Sequence, residues 1–183
     1  EAIVVIDETP QEADAWYLLS LIYNNEGYHS ESIEALEQAL KYVDNIDVNM
    51  QTSRLKGERA KAEVILGQHY ASKGPDFDEI AQGWFSESWR HLTPFDDDWN
   101  IVIRQILKWS IHSQNINFLK SILLVLAENM YGVHLTQAFI MGIKNLAKLH
   151  SNRMASKILK KASNANPNLR IDPIFVQIMN ELK

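Results

Sequence analysis

Apolar residues spaced three and four positions apart recur from one end of the chain to the other, and no alternating strand pattern of useful length competes with them. Ala15, Leu18, Leu19, Ile22 and Tyr23 mark a first helix over 14–25, ended by Gly27. Ile33, Leu36, Leu40 and Val43 mark a second, with Ser30 placed to cap it and Asp44-Asn45 to end it. A third is predicted over 59–72, stopped by Lys73-Gly74-Pro75. A fourth follows, where Asp76 and Glu79 have the spacing of a capping box. Five more are predicted over 98–113, 116–129, 135–150, 151–163 and 173–182. Asp96, Asp97 and Asp98 precede the first of these, where acidic groups complement the helix dipole by ~0.3–1 kcal/mol. All five prolines fall between helices or in a first turn, where a missing N–H does least harm. Ile3 to Ile6 reads as a short strand or ordered tail, with a linker as the alternative.

At 183 residues the chain has room for one ordinary domain or a short array of small repeats. It contains no cysteine, so disulfide frameworks, thiolate nucleophiles and Cys-based zinc sites are excluded. The net charge of −5 is a sum of opposites. Residues 1–100 hold 20 acidic and 7 basic side chains, −13, whereas residues 101–183 hold 3 and 11, +8. Such asymmetry points to an interaction surface. The longest apolar run, residues 122–127, is far short of the ~18 residues a membrane span needs. The opening residues lack the features of a signal peptide, so a cytoplasmic location is expected, and the absence of an initial Met reads as processing or as a piece of a longer protein.

Paired helices call for a search for internal repeats. Trp16-x-x-Leu19-Ser20-x-x-Tyr23, followed by Gly27, Leu36 and Ala39, resembles the tetratricopeptide repeat, with Ser20 and Ser32 in place of its usual Gly and Ala and Asp44 in place of its Pro. Leu66-Gly67-x-x-Tyr70, Gly74 and Phe77 resemble a second repeat, with Glu63 where Trp is usual. Ala155-x-x-x-Leu159-x-x-Ala162-x-x-x-x-Pro167 keeps the spacing of a final half-repeat, and the helices between fit by spacing alone. The aligned positions Leu19, Leu66, Ile106 and Gly142 lie 47, 40 and 36 residues apart against a family period of 34, which makes the array irregular and places insertions around 43–57 and 91–95. The resemblance implies an all-α fold of helix-turn-helix repeats stacked into a right-handed superhelix, with four pairs at 11–44, 58–91, 97–130 and 135–168. Residues 1–10 form a tail or linker and 169–183 a capping helix, in which Ile174, Phe175, Ile178 and Leu182 would cover the last pair.

No phosphate loop, dinucleotide fingerprint, nucleophile elbow or His-Glu-x-x-His motif is present, so no catalytic residue is assigned, and no cofactor. The six histidines never fall three or four apart, and Asp96-x-Asp98-x-Asn100 lacks the Gly and Glu of a calcium loop, so no metal site is assigned either. Trp84, Phe85, Trp89, Phe95 and Trp99 form an aromatic cluster that either fills the gap opened by an insertion or anchors a partner; Trp89 and Trp99 are the two expected to be partly exposed.

In tetratricopeptide repeats the first helix of each pair lines a concave groove. Carried onto this chain, the resemblance places Tyr17, Asn25, Gln68, Arg104, Lys108, His112, Lys144 and Lys148 there. The implied role is that of a non-catalytic scaffold, whose basic wall pairs the carboxylates of an acidic peptide while Tyr17, Asn25 and Gln68 bond its backbone. The alternatives are an ordinary solvated lysine face, a self-assembly module in which the acidic half of one copy meets the basic half of another, and a regulatory or recruiting domain of a larger enzyme. Nucleic acid is disfavoured, because among exposed-looking aromatics only Tyr131 accompanies the basic residues.

Overall fold

The computed structural model describes residues 13–45, 53–129 and 133–182, so the segment 3–6 and Tyr131 lie outside the described residues. Among the described residues the chain is all-α, with nine α-helices, two short 3-10 helices and no strand. It divides into two units, Glu1–Val102 and Ile103–Lys183. The first contains α1 (Ala13–Glu26) and α2 (His29–Asp44), which pack as one hairpin, and α3 (Ser53–Ser72) and α4 (Asp78–Arg90), which pack as another. α5 (Trp99–His112) crosses the boundary. The second unit continues with α6 (Ile116–Asn129), α7 (Val133–Leu149), α8 (Asn152–Ala165) and α9 (Pro173–Glu181).

The first hairpin turns at Gly27, whose φ of +85° would strain any residue with a Cβ. Tyr28 N–H donates to Tyr23 C=O at 2.8 Å and Tyr28 C=O accepts from Ser32 N–H at 3.0 Å, so α2 is already under way at His29 and Tyr28 holds the cap position. Ser30, expected as the cap, is therefore inside the helix. Ser32 instead joins the two helices by donating its hydroxyl to Ser20 C=O at 2.8 Å, while Ser20 Oγ donates to Tyr17 C=O at 2.6 Å. Where the repeat pattern wants Gly and Ala, a serine with its hydroxyl satisfied by backbone remains small enough for two helices to touch. Ser88, Ser110 and Ser163 are buried in the same manner, each bonded to the carbonyl three residues earlier.

α3 starts six residues before the predicted 59, so the insertion expected around 43–57 becomes in part additional helical turns; residues 46–52 lie outside the described residues. Gly57 lies within the added turns, where Asp98 occupies the space a Cβ would need, with its Oδ1 3.2 Å from Lys61 Nζ. The capping box expected at Asp76 and Glu79 does not form. Pro75 begins a 3-10 turn over Pro75–Phe77, closed by Phe77 N–H on Gly74 C=O at 3.0 Å, and α4 begins after Phe77 without a side-chain cap. The Phe77 ring stacks instead on Tyr70, and Lys73 Nζ lies 4.7 Å from the Tyr70 ring centre.

Leu36, Leu40, Ala62 and Leu66 form the core between the two hairpins of the first unit, with Tyr17, Ile33, Ile65 and Trp84 packed against it. Gly67 sits against the buried Phe85 ring: a Cβ there would lie 2.8, 2.9 and 3.0 Å from three ring atoms. In an open helix Gly→Ala gains roughly 0.5–1 kcal/mol. Here a rigid ring has to move, and Gly67→Ala is expected to cost ~1–3 kcal/mol as overpacking does elsewhere. A fall in the urea midpoint, partly restored when Phe85→Leu is added, checks this; an unchanged or raised midpoint contradicts it.

Glu63, at the position where the repeat usually has Trp, is 2% exposed. Its Oε1 accepts from Arg59 Nε at 3.0 Å, and Arg59 Nη2 reaches Asp44 Oδ1 at 2.7 Å. His91 Nε2 lies 3.4 Å from the same Oε1, within ion-pair range but not aligned as a hydrogen bond.

In the second unit α6, α7 and α8 pack on one another. The apolar run of residues 122–127 supplies Ile122, Leu123, Leu126 and Ala127 to this core, and no described helix is long and apolar enough to cross a membrane. Asn115 accepts from Phe118 N–H at 3.1 Å to start α6 after Gln114, which has a φ of 53°. Asp172 caps α9 by accepting from Phe175 N–H at 2.9 Å. Phe175 and Ile178 are buried as expected of a covering helix, but Ile174 is exposed: the cap and Pro173 fix the helix phase so that 174 turns outward.

Candidate functional site

The 3.6-residue period of α5 divides it cleanly. Ile103, Ile106, Leu107 and Ser110 are buried, and Arg104, Lys108 and His112 form an exposed row. α7 repeats the division, with Phe139, Ile143 and Leu146 inside and Met141, Lys144 and Lys148 outside. The two helices meet at Gly142, where a Cβ would lie 3.2 Å from Leu107 Cδ1 and 2.7 Å from Leu123 Cδ2. Along the chain that contact is one residue from Lys108 and two from Lys144.

The acids of the second unit are engaged elsewhere. Glu128 Oε1 is 2.6 Å from Lys161 Nζ, Asp172 caps α9, and Glu181 Oε1 accepts from Gln177 Nε2 at 2.7 Å. Among the described residues Arg104, Lys108, Lys144 and Lys148 have no acidic partner. His112 Nδ1 lies 3.2 Å from Lys108 C=O, to which it can only donate, leaving Nε2 turned to other partners. The arrangement is an exposed basic row on each of two helices that touch at Gly142, and each row is suited to carboxylates.

The other three predicted groove residues belong to the first unit. Tyr17 is half-buried against the core, and burial, followed by the charges of Glu58 and Asp98, raises its phenol above the ordinary tyrosine value. Gln68 is exposed and lines a cavity of 400 Å³ with Asn24, His29, Ile33, Ile65 and His69. Asn25 is exposed but does not line it; its neighbour Asn24 does, with Oδ1 3.3 Å from His29 Nδ1. Partial burial and then Lys73 hold the His69 imidazole below the ordinary histidine value. Asn24, His29 and His69 escape a reading by repeat position because they sit at helix ends, where the turn rather than the period sets direction.

Of the two tryptophans expected to be partly exposed, Trp89 is so and Trp99 is not. Trp89 is half-buried and engaged within the chain, and Trp99 is only 4% exposed, so Trp99 offers no anchor to a partner. Phe95 is the outward one, at 88%.

No curated protein matches the chain. Residues 13–42, the hairpin of α1 and α2, match the tetratricopeptide repeat. The matched segment contains the buried Leu19, Leu36 and Ala39 and the two bonded serines through which its helices touch. That hairpin is a tetratricopeptide repeat, and the match with the family is shown for residues 13–42.

Proposed function

We propose that this chain is a non-catalytic scaffold whose second unit binds an acidic segment of another protein along the exposed rows of α5 and α7, the hairpins beyond the first being irregular repeats of the same kind. Tetratricopeptide repeats generally mediate protein–protein interactions, and as a class they are typically non-catalytic. The observation that supports the finer reading is the set of exposed, acid-free cations Arg104, Lys108, Lys144 and Lys148, with His112 closing the row on α5. The side chains 104 and 108, and likewise 144 and 148, repel within their own helices by roughly 0.2–0.5 kcal/mol, which an incoming carboxylate reverses. In the first unit Gln68, with Asn24 beside it, is suited to hydrogen-bond a peptide backbone at the cavity they share.

A fluorescent Glu-rich peptide titrated into the full chain tests the reading. Binding is expected to weaken with added salt, as surface pairing does. Lys108→Glu together with Lys144→Glu is expected to lower affinity by about tenfold or more, because both the attraction and its sign are changed. Both positions are exposed, so helical content stays that of the wild type. Undiminished binding by the double variant overturns the proposal.

A further inference from the structure

α8 carries a separate basic face. Arg153, Lys157 and Lys160 are exposed, four and three residues apart, and line a cavity of 410 Å³ whose apolar wall is Met179 and Leu182. With Glu128, Asp172 and Glu181 engaged as described, none of the three has an acidic partner among the described residues. Three like charges around one concavity favour an anion, but an anion alone leaves Met179 and Leu182 unused. The group that fits is an apolar side chain with carboxylates beside it, and the volume is within the ~300–1,000 Å³ of ligand-sized pockets.

The chain itself carries such a group. Among the described residues Phe95 is the most exposed large apolar side chain, and it is followed by Asp96 and the exposed Asp97. Thr93 N–H and Oγ–H both donate to Asp96 Oδ2, at 2.6 and 2.8 Å, so the turn presenting the ring is held by its own bonds. We infer that Phe95 of one copy seats against Met179 and Leu182 of a second copy, with Asp96 and Asp97 meeting Arg153, Lys157 and Lys160. The charges of the two parts, −13 over residues 1–100 and +8 over 101–183, favour the same pairing. Knob and socket are different surfaces, so the contact is heterologous and passes from copy to copy. This inference does not depend on peptide binding at α5 and α7, and Lys108→Glu with Lys144→Glu leaves it intact.

Sedimentation velocity of the full chain over a concentration series tests it. The mean sedimentation coefficient is expected to rise with concentration and to fall with added salt. Phe95→Ser and Lys157→Glu are each expected to weaken association by roughly tenfold or more. Mixing the two variants restores it in a limited form: each retains one intact half, so they form a 1:1 pair that does not extend. A chain that stays monomeric throughout, association that either variant retains, association indifferent to salt, or a mixture no more associated than its components overturns the inference.

Discussion

Arg59→Met is expected to destabilise the first unit by about 3–5 kcal/mol, more than any neighbouring polar substitution. The reason lies in what it leaves behind. Glu63 is 2% exposed, and Arg59 Nε at 3.0 Å is its aligned charged partner; His91 Nε2 at 3.4 Å is near but not aligned. Removing the guanidinium strands a carboxylate inside the protein, and losing one member of a buried pair costs ~3–5 kcal/mol. Glu63→Leu is expected to cost much less, because Arg59 keeps Asp44 at 2.7 Å and an apolar side chain suits a position where the repeat ordinarily has Trp. The double variant Arg59→Met with Glu63→Leu is expected to recover most of the loss, since replacing a whole buried pair by apolar groups is often neutral. Thermal unfolding reads this directly, at ~2–4 °C for each kcal/mol in a chain of this size. Equal losses for the two single variants, or no recovery in the double, contradict the assignment of Glu63 as a buried ion held by Arg59.

Phe139→Ala is the second large effect, expected at about 3–5 kcal/mol in the second unit. Phe139 is fully buried on α7, which packs on both α6 and α8, so truncation leaves a cavity inside this unit. Phe95→Ala makes the same chemical change on a ring that is 88% exposed and is expected to stay within ~0.5 kcal/mol of the wild type. A urea midpoint that moves for Phe139 and not for Phe95, with the slope unchanged, is the expected outcome. Comparable shifts for both would mean that the Phe95 ring is covered in the monomer, which would also remove the basis for its docking between copies.

The fold was largely legible before any coordinates. α6 has the predicted limits, 116–129, and α1, α5, α8 and α9 differ from theirs by one or two residues, because a helix with one buried face writes its period into the chain. The starts of helices were less legible. Ser30 and Asp76 have the chemistry of caps, yet α2 begins before Ser30 and Pro75 replaces the capping box with a 3-10 turn, since capping depends on where the preceding turn delivers the backbone. α3 also starts before its apolar pattern, and Gly57 in the added turns lies against Asp98, forty-one positions away, a contact that no local pattern announces.

The candidate site divides along the same line. Arg104, Lys108, His112, Lys144 and Lys148 are outward as their helical phase predicts. Tyr17 shares that phase and is nevertheless half-buried, because α3 supplies Ala62 and Leu66 to the core it packs against.

By itself the sequence determined the all-α class, the position of nearly every helix, the resemblance of the first hairpin and the partition of charge between acidic and basic halves. These are properties of local period and composition, and neighbouring residues suffice to specify them. Only the tertiary structure decided that Trp99 is inside while Phe95 is outside, that Asn24 rather than Asn25 shares a cavity with Gln68, and that Glu63 meets His91. The physical reason is that burial and ion pairing are set by atoms from other helices, which arrive only when the chain has packed.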